Sequence, residues 1–515
     1  MIRTDLIAPL GVLLRRHASE RGGKLAFEDA RTTLTYAELD ARTARLAGYL
    51  QAGAVEAGQR MAILLPNSVD WVVACVAIVR AGCIAVPISH DATESEIRYR
   101  LEDAACTVLI VSEHRLPLAA RLRDALPCLE TLIVTTALPA GNVLSLTALL
   151  ARDSGNVPRD PVDIDTTAFI VYTSGTTGKA KGVMLTLRSM LWVTATCWVL
   201  VAGLREDDVV LSPLPLFHSY ALNLSVLSVL AVGASVHLLE RFSTQDVLAK
   251  LQTGRFTLMP GVPTMFHYLL EGARDREDRS FPGMRRFLSA GAILPSALNR
   301  AFEERFGIAL LDGYGITETA TMVTMNWPGD GRVMGSCGLP LTGLAVRIVD
   351  ADGRDVPVTH EGELIVRGPN LMQGYLNKPA ETAAALRDGW YHTGDLSRCD
   401  HNGFLTITGR LKELIIRGGQ NIAPGEVEEA VLTHAGVLDC AVVGIAHRHL
   451  GEVPVVFVMP RPGSAFDPAE LIRHCETLLS AYKVPHAVHL VEAIPRTGSG
   501  KIMRFKLREL IEEKV

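Results

Sequence analysis

Residues 168–182 read AFIVYTSGTTGKAKG, an apolar run with β-branched and aromatic members that breaks abruptly into glycine, serine and threonine. The first half has the composition of a buried strand. In the second half, backbone N–H groups and hydroxyls can converge on an anion; glycine permits the close approach and lysine adds charge. The spacing is not that of a Walker A loop, because GxxxxGK[ST] has no match here. A flexible Gly/Thr linker is the plain alternative. A strand running into an anion-binding loop suits an α/β fold, and the flanking sequence keeps that rhythm.

Upstream, MAILL (61–65), CIAVP (83–87), TVLIV (107–111) and TLIV (131–134) read as buried strands. Between them, SVDWVVACVAIVR (68–80) and ATESEIRYRLEDA (92–104) read as helices, the second capped within 91–93. Downstream, strands are expected near 209–211, 235–239, 256–259 and 309–311. Such alternation calls for right-handed crossovers and mostly parallel sheets covered on both faces. After about residue 340, VRIVDADGRD, GELIVRG and FLTITGR look like short hairpin strands with Asp-Gly and Asn-Gly turns. Residues 425–515 mix helix and strand again, which predicts a small α+β module with its boundary near 409–412.

The balance of the 515 residues, 48% hydrophobic and 21% charged, is that of a globular chain able to bury sizeable cores. A net charge of −5 gives no basic surplus for nucleic acid, so an anionic substrate needs a local site. The nine cysteines are scattered without a CxxC, which indicates neither a disulfide framework nor a zinc site and fits a reducing cytoplasm. The N-terminus lacks the basic start and cleavage site of a signal peptide. The most apolar interior stretch, 221–239, is interrupted by Asn223, Gly233, Ser235 and His237, and reads as a buried helix followed by a strand rather than a membrane span.

Further motifs occur in order: SAGAILP (289–295), YGITE (314–318), YHTGD (391–395), GRLKELI (409–415) and PRTGSGK (495–501). With the loop at 172–182 they resemble the adenylate-forming (AMP-binding) superfamily of acyl-coenzyme A synthetases, peptide-synthetase adenylation domains and luciferases. The resemblance spans nearly the whole chain. It implies a large N-terminal core, residues 1–410, of two mostly parallel helix-covered sheets plus a small β-barrel-like part. A mobile α+β C-terminal domain, 411–515, would carry the catalytic lysine. One departure lies in the loop, where Ala180 replaces the family's proline and Lys179 is an extra lysine.

The resemblance assigns roles residue by residue. Thr173, Ser174, Gly175, Thr176, Thr177, Gly178 and Lys181 would hold the phosphates of ATP. Glu318 would hold Mg²⁺, a hard cation suited to carboxylate and phosphate oxygens. Thr317 would contact the α-phosphate, with Tyr314, Gly291 and Ala292 around the adenine and Asp312 and Gly313 also in the ATP site. Asp395 would accept from both ribose hydroxyls, which suits a carboxylate's two oxygens, and Arg410 would add a ribose contact. Lys501 would bridge the substrate carboxylate and the α-phosphate, opposing the charge that develops during in-line attack. Lys412 would be the hinge of a rotating small domain, and Arg417, Gly418 and Gly419 would line the pantetheine tunnel.

In PLFHSY (215–220), His218 stands where amino-acid-activating domains carry an aspartate, so a substrate ammonium would be left unpaired. His218 instead resembles the gate closing the carboxylate end in acyl and aryl ligases, with Tyr220, Gly261, Ala290, Gly313, Gly315 and Thr321 drawn into the acyl pocket. Space without charge favours a medium- or long-chain fatty acid, with an aryl acid of the benzoate or cinnamate type as the alternative. Coenzyme A is the expected acceptor and an acyl carrier protein the alternative; a homodimer is left open. A carboxylic acid–thiol ligase using ATP, Mg²⁺ and coenzyme A is therefore the expected activity. A catalytically dead nucleotide-binding regulator is the competing class.

Overall fold

In the computed structural model, residues 2–512 are described except 53–55, 137–142, 153–154, 174–179, 275, 277–279, 330, 464–465 and 498–500. The period-2 alternation of short apolar strands builds the core. Along the strand Arg60–Leu64, Met61 and Ile63 enter one apolar cluster while Ala62 and Leu64 enter another on the opposite face. This strand sits inside an eight-stranded sheet, flanked in parallel by Ile84–Pro87 and Val108–Val111. A nine-stranded sheet has parallel neighbours Val209–Ser212, Leu258–Gly261, Arg286–Ser289 and Leu310–Tyr314 at its centre.

The helix Val69–Arg80 is buried at eleven of its positions and shares one cluster with inward residues of both sheets, such as Ile63 and Val210. A helix apolar on every face from Trp71 to Val79 belongs between two layers, not on a surface. Its end is held by charge pairing: buried Arg80 contacts Asp160 and Asp40, each at 2.8 Å. The outer faces are covered separately, by Glu94–Asp103 and Leu116–Ala125 on one sheet and by Thr244–Leu251, Pro263–Gly272 and Ser296–Phe306 on the other. The expected cap is present: Thr93 and Glu96 form a reciprocal capping box.

The sheets are parallel at their centres and antiparallel at edges. Thr167–Thr173 pairs antiparallel with Lys181–Thr186, with Thr173 opposite Lys181. The glycine-threonine loop therefore joins two strands of a hairpin. Local pattern does not announce the second of them, because KGVMLT begins inside the anion-binding motif and its lysine and glycine read as loop residues. The apolar stretch after His218 is helical and then strand, as expected, but residues Leu222–Ser228 form a π-helical turn, as do Thr194–Val199 opposite them.

Residues 345–410 form a five-stranded antiparallel sheet, in which Trp390–Cys399 pairs with both Gly362–Arg367 and Leu405–Arg410. A separate five-stranded sheet, built around Val437–His447 and Gly451–Pro460, carries Pro424–Leu432 and Pro468–Leu478 on one face and Arg504–Glu512 on the other. Arg461 of this last part pairs with Glu271, its guanidinium at 2.5 Å from the carboxylate. No helix among the described residues is long and apolar enough to cross a membrane. All nine cysteines are free.

Candidate active site

Parallel strands leave their loops on one edge, and three of those C-terminal ends bring the motifs together. Leu258–Gly261 ends at Gly261, Arg286–Ser289 runs into Ala290-Gly291, and Leu310–Tyr314 runs into Gly315-Ile316-Thr317-Glu318. Glycine is required at 315, because a Cβ there would lie 1.7 Å from the Thr321 carbonyl oxygen. The chain turns back on itself at this point through Ala320 and Thr321, at φ 50° and 104°. A β-branched residue at such a φ is strained, and strain of this kind gathers at functional sites. Buried Thr321 Oγ1 has no hydrogen-bond partner among the described residues.

Lys501 arrives from the C-terminal part and lines a small cavity with Leu214, Pro215, His218, Tyr220, Val262 and Gly291. Burial lowers its ammonium below the usual lysine range, Arg410 pushes the same way, and Asp395, Glu318 and Glu413 oppose them. Burial, helped by the Lys501 charge, brings His218 down to about 4, so its imidazole is neutral at ordinary pH. His218 Nδ1 accepts from the Tyr220 N–H at 3.4 Å. Thr317 lies within the same site, its hydroxyl 3.2 Å from that of Ser219.

Asp395 is 2% exposed and holds two partners. Its Oδ2 accepts from the Tyr314 hydroxyl at 2.5 Å, and its Oδ1 is ion-paired with Arg410, 2.8 Å from Nε. Asp395 and Arg410 face each other across adjacent strands, which fixes this pair. Burial, and then the Asp395 carboxylate, raise Tyr314 well above the usual phenol range, so it stays a donor. Glu318 Oε1 accepts from the Tyr375 hydroxyl at 3.0 Å, and Tyr391 stands 3.5 Å from that hydroxyl. Sequence reasoning misses Tyr375; nothing around it in GYLNKP distinguishes it from a core tyrosine.

The remaining expected residues occupy varied settings. Asp312 is buried, and burial pushes its carboxyl well up. Gly291 has φ 91°, Ala290 is buried and Ala292 is exposed. A Cβ on Gly313 would meet the Met322 methyl at 2.5 Å, and one on Gly261 would meet the Phe266 ring at 2.7 Å. Both glycines thus serve close packing; of the residues expected in the acyl pocket, His218 and Tyr220 line the Lys501 cavity, and Gly261, Ala290, Gly313, Gly315 and Thr321 do not. Lys181 Nζ pairs with Glu381 at 2.6 Å and lies over the Tyr375 ring at 4.9 Å, close to Thr173 across the hairpin. Ser174, Gly175, Thr176, Thr177 and Gly178 fall outside the described residues. Lys412 is exposed in the turn Leu411–Glu413. Arg417 donates to the Tyr482 carbonyl at 2.6 Å and Gly418 N–H to the Leu450 carbonyl, so these contacts of the 417–419 hairpin stay within the C-terminal part, away from the Lys501 cavity.

One cleft thus gathers a buried ammonium, a neutral imidazole, a carboxylate bonded to a tyrosine hydroxyl and a second carboxylate clamped by a phenol and a guanidinium. A family model described as AMP-binding enzyme matches residues 14–376, and the model of its C-terminal domain matches 426–501. The chain belongs to the AMP-binding enzyme family. It is an ATP-dependent acid–thiol ligase of the AMP-forming, acyl-CoA synthetase branch. It is 37% identical to a feruloyl-CoA synthase of an Amycolatopsis species over 93% of this chain and 94% of the relative. A long-chain-fatty-acid–CoA ligase of Yersinia pestis is 32% identical over 94% of this chain and 91% of that one. The solved anthranilate CoA ligase AuaEII, in complex with anthranoyl-AMP, superposes with a TM-score of 0.92 at 28% identity, covering 100% of both chains.

Proposed function

We propose that this ligase activates a compact aromatic carboxylic acid, of the benzoate or cinnamate type, and transfers it to coenzyme A. The observation that carries this reading is the wall facing Lys501. Tyr220 is anchored by its hydroxyl to the Leu288 carbonyl at 3.0 Å and backed by the stacked ring of Trp198. A flat acid can lie against such a wall, whereas a long alkyl chain would have to pass through it. The named activities of the feruloyl and anthranilate ligases point the same way, and that of the Yersinia relative supports the fatty-acid alternative. Among the described residues no Lys or Arg other than Lys501 lines the cavity, which disfavours a second carboxylate on the substrate.

In this reading Lys501 holds the acid's carboxylate against the α-phosphate, and its charge stabilises the transition state. His218 stays neutral and closes the carboxylate end without competing for it. Asp395 takes the ribose, sharing its oxygens with Tyr314 and Arg410. Glu318 would hold Mg²⁺, which when bound neutralises triphosphate charge. A lone carboxylate fits a cation that keeps water and phosphate ligands, and no cluster of three or more metal-ligating side chains exists among the described residues. Lys181 would leave Glu381 for phosphate. We further read 1–410 and 411–515 as the two moving parts, with Lys412 as hinge and 417–419 serving the thiol step.

The test is acid-dependent pyrophosphate release across benzoates, cinnamates, fatty acids, amino acids and dicarboxylates, with and without coenzyme A. Benzoates or cinnamates are expected to lead by at least about tenfold in kcat/KM, a factor of the size one pocket methylene confers. Preference for a long-chain fatty acid would refute the assignment.

A further inference from the structure

Two π-helical turns, Thr194–Val199 and Leu222–Ser228, face one another directly behind the cavity wall. Such turns are rare and occur often at functional sites. Each projects one residue into a shared, fully buried arrangement. Trp198 comes from the first turn and Asn223 from the second, and the indole N–H donates to Asn223 Oδ1 at 2.6 Å. Asn223 Nδ2 donates to the Met190 carbonyl at 2.9 Å, so the amide is locked in turn. The two turns are also tied by the hydroxyls of Thr194 and Ser228, 2.8 Å apart. Trp198 stacks on Tyr220 with centroids 5.7 Å apart and planes at 15°.

We propose that Trp198 is a positioning residue for specificity: by bracing Tyr220 from behind, it fixes the depth of the acid pocket and sets the longest acid the enzyme adenylates. This rests on the reading of the Lys501 cavity as the acid site. Tyr220 lines that cavity and Trp198 does not, so Trp198 acts through its neighbour. A single ring can swing aside for a longer substrate. Tyr220 is held at its hydroxyl by the Leu288 carbonyl and across its face by a second ring, whose own N–H is bonded to a buried amide. Interiors packed this closely switch between discrete arrangements instead of yielding gradually, so the length limit is a step and not a slope.

The experiment measures pyrophosphate exchange over a ladder of 4-alkylbenzoates from methyl to hexyl, in the wild-type enzyme and in Trp198→Ala, Trp198→Leu and Trp198→Phe. In the wild type, kcat/KM is expected to fall at least about tenfold across one added carbon or two. Trp198→Ala moves that step by at least two carbons, raising the excluded acids by about tenfold or more while benzoate changes less than about threefold. Trp198→Phe keeps a ring behind Tyr220 and leaves the step in place. If Trp198→Ala does not fold, Trp198→Leu provides the same readout. A folded variant whose ladder superimposes on the wild type, or drops by one common factor at every length, overturns the proposal. Should the enzyme refuse benzoates and use fatty acids, the aromatic reading falls, and the same step and shift are then sought on straight-chain acids. The two failures are thereby told apart.

Discussion

Asp395→Asn tests the proposed ribose contact with little disturbance of the fold. The carboxylate is 2% exposed, accepts from Tyr314 at 2.5 Å and is ion-paired with Arg410 at 2.8 Å. Asparagine can keep both contacts: its oxygen turned to Arg410 still accepts, and its amide can donate to the Tyr314 hydroxyl, which is able to accept. The Arg410 side chain is 36% exposed, so losing the ion pair itself is worth only about 1 kcal/mol after screening. The ribose is different. Hydrogen bonds to a charged acceptor contribute about 1.5–3 kcal/mol against about 0.5–1.5 for neutral ones, so two ribose hydroxyls together lose about 2–3 kcal/mol. That is a rise in KM for ATP of about 30- to 150-fold at about 1.4 kcal/mol per decade. Acid-dependent pyrophosphate exchange with ATP and with 2′,3′-dideoxy-ATP separates this from general damage. The wild type should prefer ATP by a similar factor, and the variant should lose most of that preference. A variant that melts like the wild type, keeps its KM and still discriminates would refute the assignment.

Lys501→Ala should lower acyl-adenylate formation by about 10²–10³, the loss seen when one transition-state donor is removed, as read in pyrophosphate exchange; near-normal exchange would remove Lys501 from the chemistry. Because the Lys501 ammonium is lowered from its ordinary value, adenylation should decline on the alkaline side before an ordinary lysine would deprotonate, and Lys501→Arg should abolish that limb of the pH profile. His218 is depressed to about 4, so the folded protein binds its proton less readily than the unfolded chain. The stability this confers is present above about pH 6.5 and is lost as pH falls toward 4; urea midpoints should drop over that window, and less so in His218→Phe. Gly315→Ala should leave little soluble protein, since its Cβ would lie 1.7 Å from a backbone oxygen that cannot yield; soluble, active enzyme would contradict that geometry.

Much of the fold is legible in local pattern, because short apolar strands and capped helices are set by residues within a turn or two of one another. Thr93 with Glu96, the helix at 69–80 with its apolar run from Trp71 to Val79, and the five motifs are all local signals. Edge strands and hairpin partners are less legible. Thr33–Thr35 and Lys181–Thr186 owe their identity to strands they meet in space. Within the site, Tyr375 is invisible to local reading because its role is a hydroxyl aimed at a carboxylate 57 positions away in sequence.

The sequence by itself determined the family: the glycine-threonine loop and the ordered motifs that hold Glu318, Asp395 and Lys501 carry the resemblance to ATP-using acid–thiol ligases. The tertiary structure alone decided what surrounds them. Neutral His218, lowered Lys501 and the Trp198–Tyr220 wall all depend on desolvation and on contacts between distant segments. Burial is a property of the packed chain, and no local window of residues carries it.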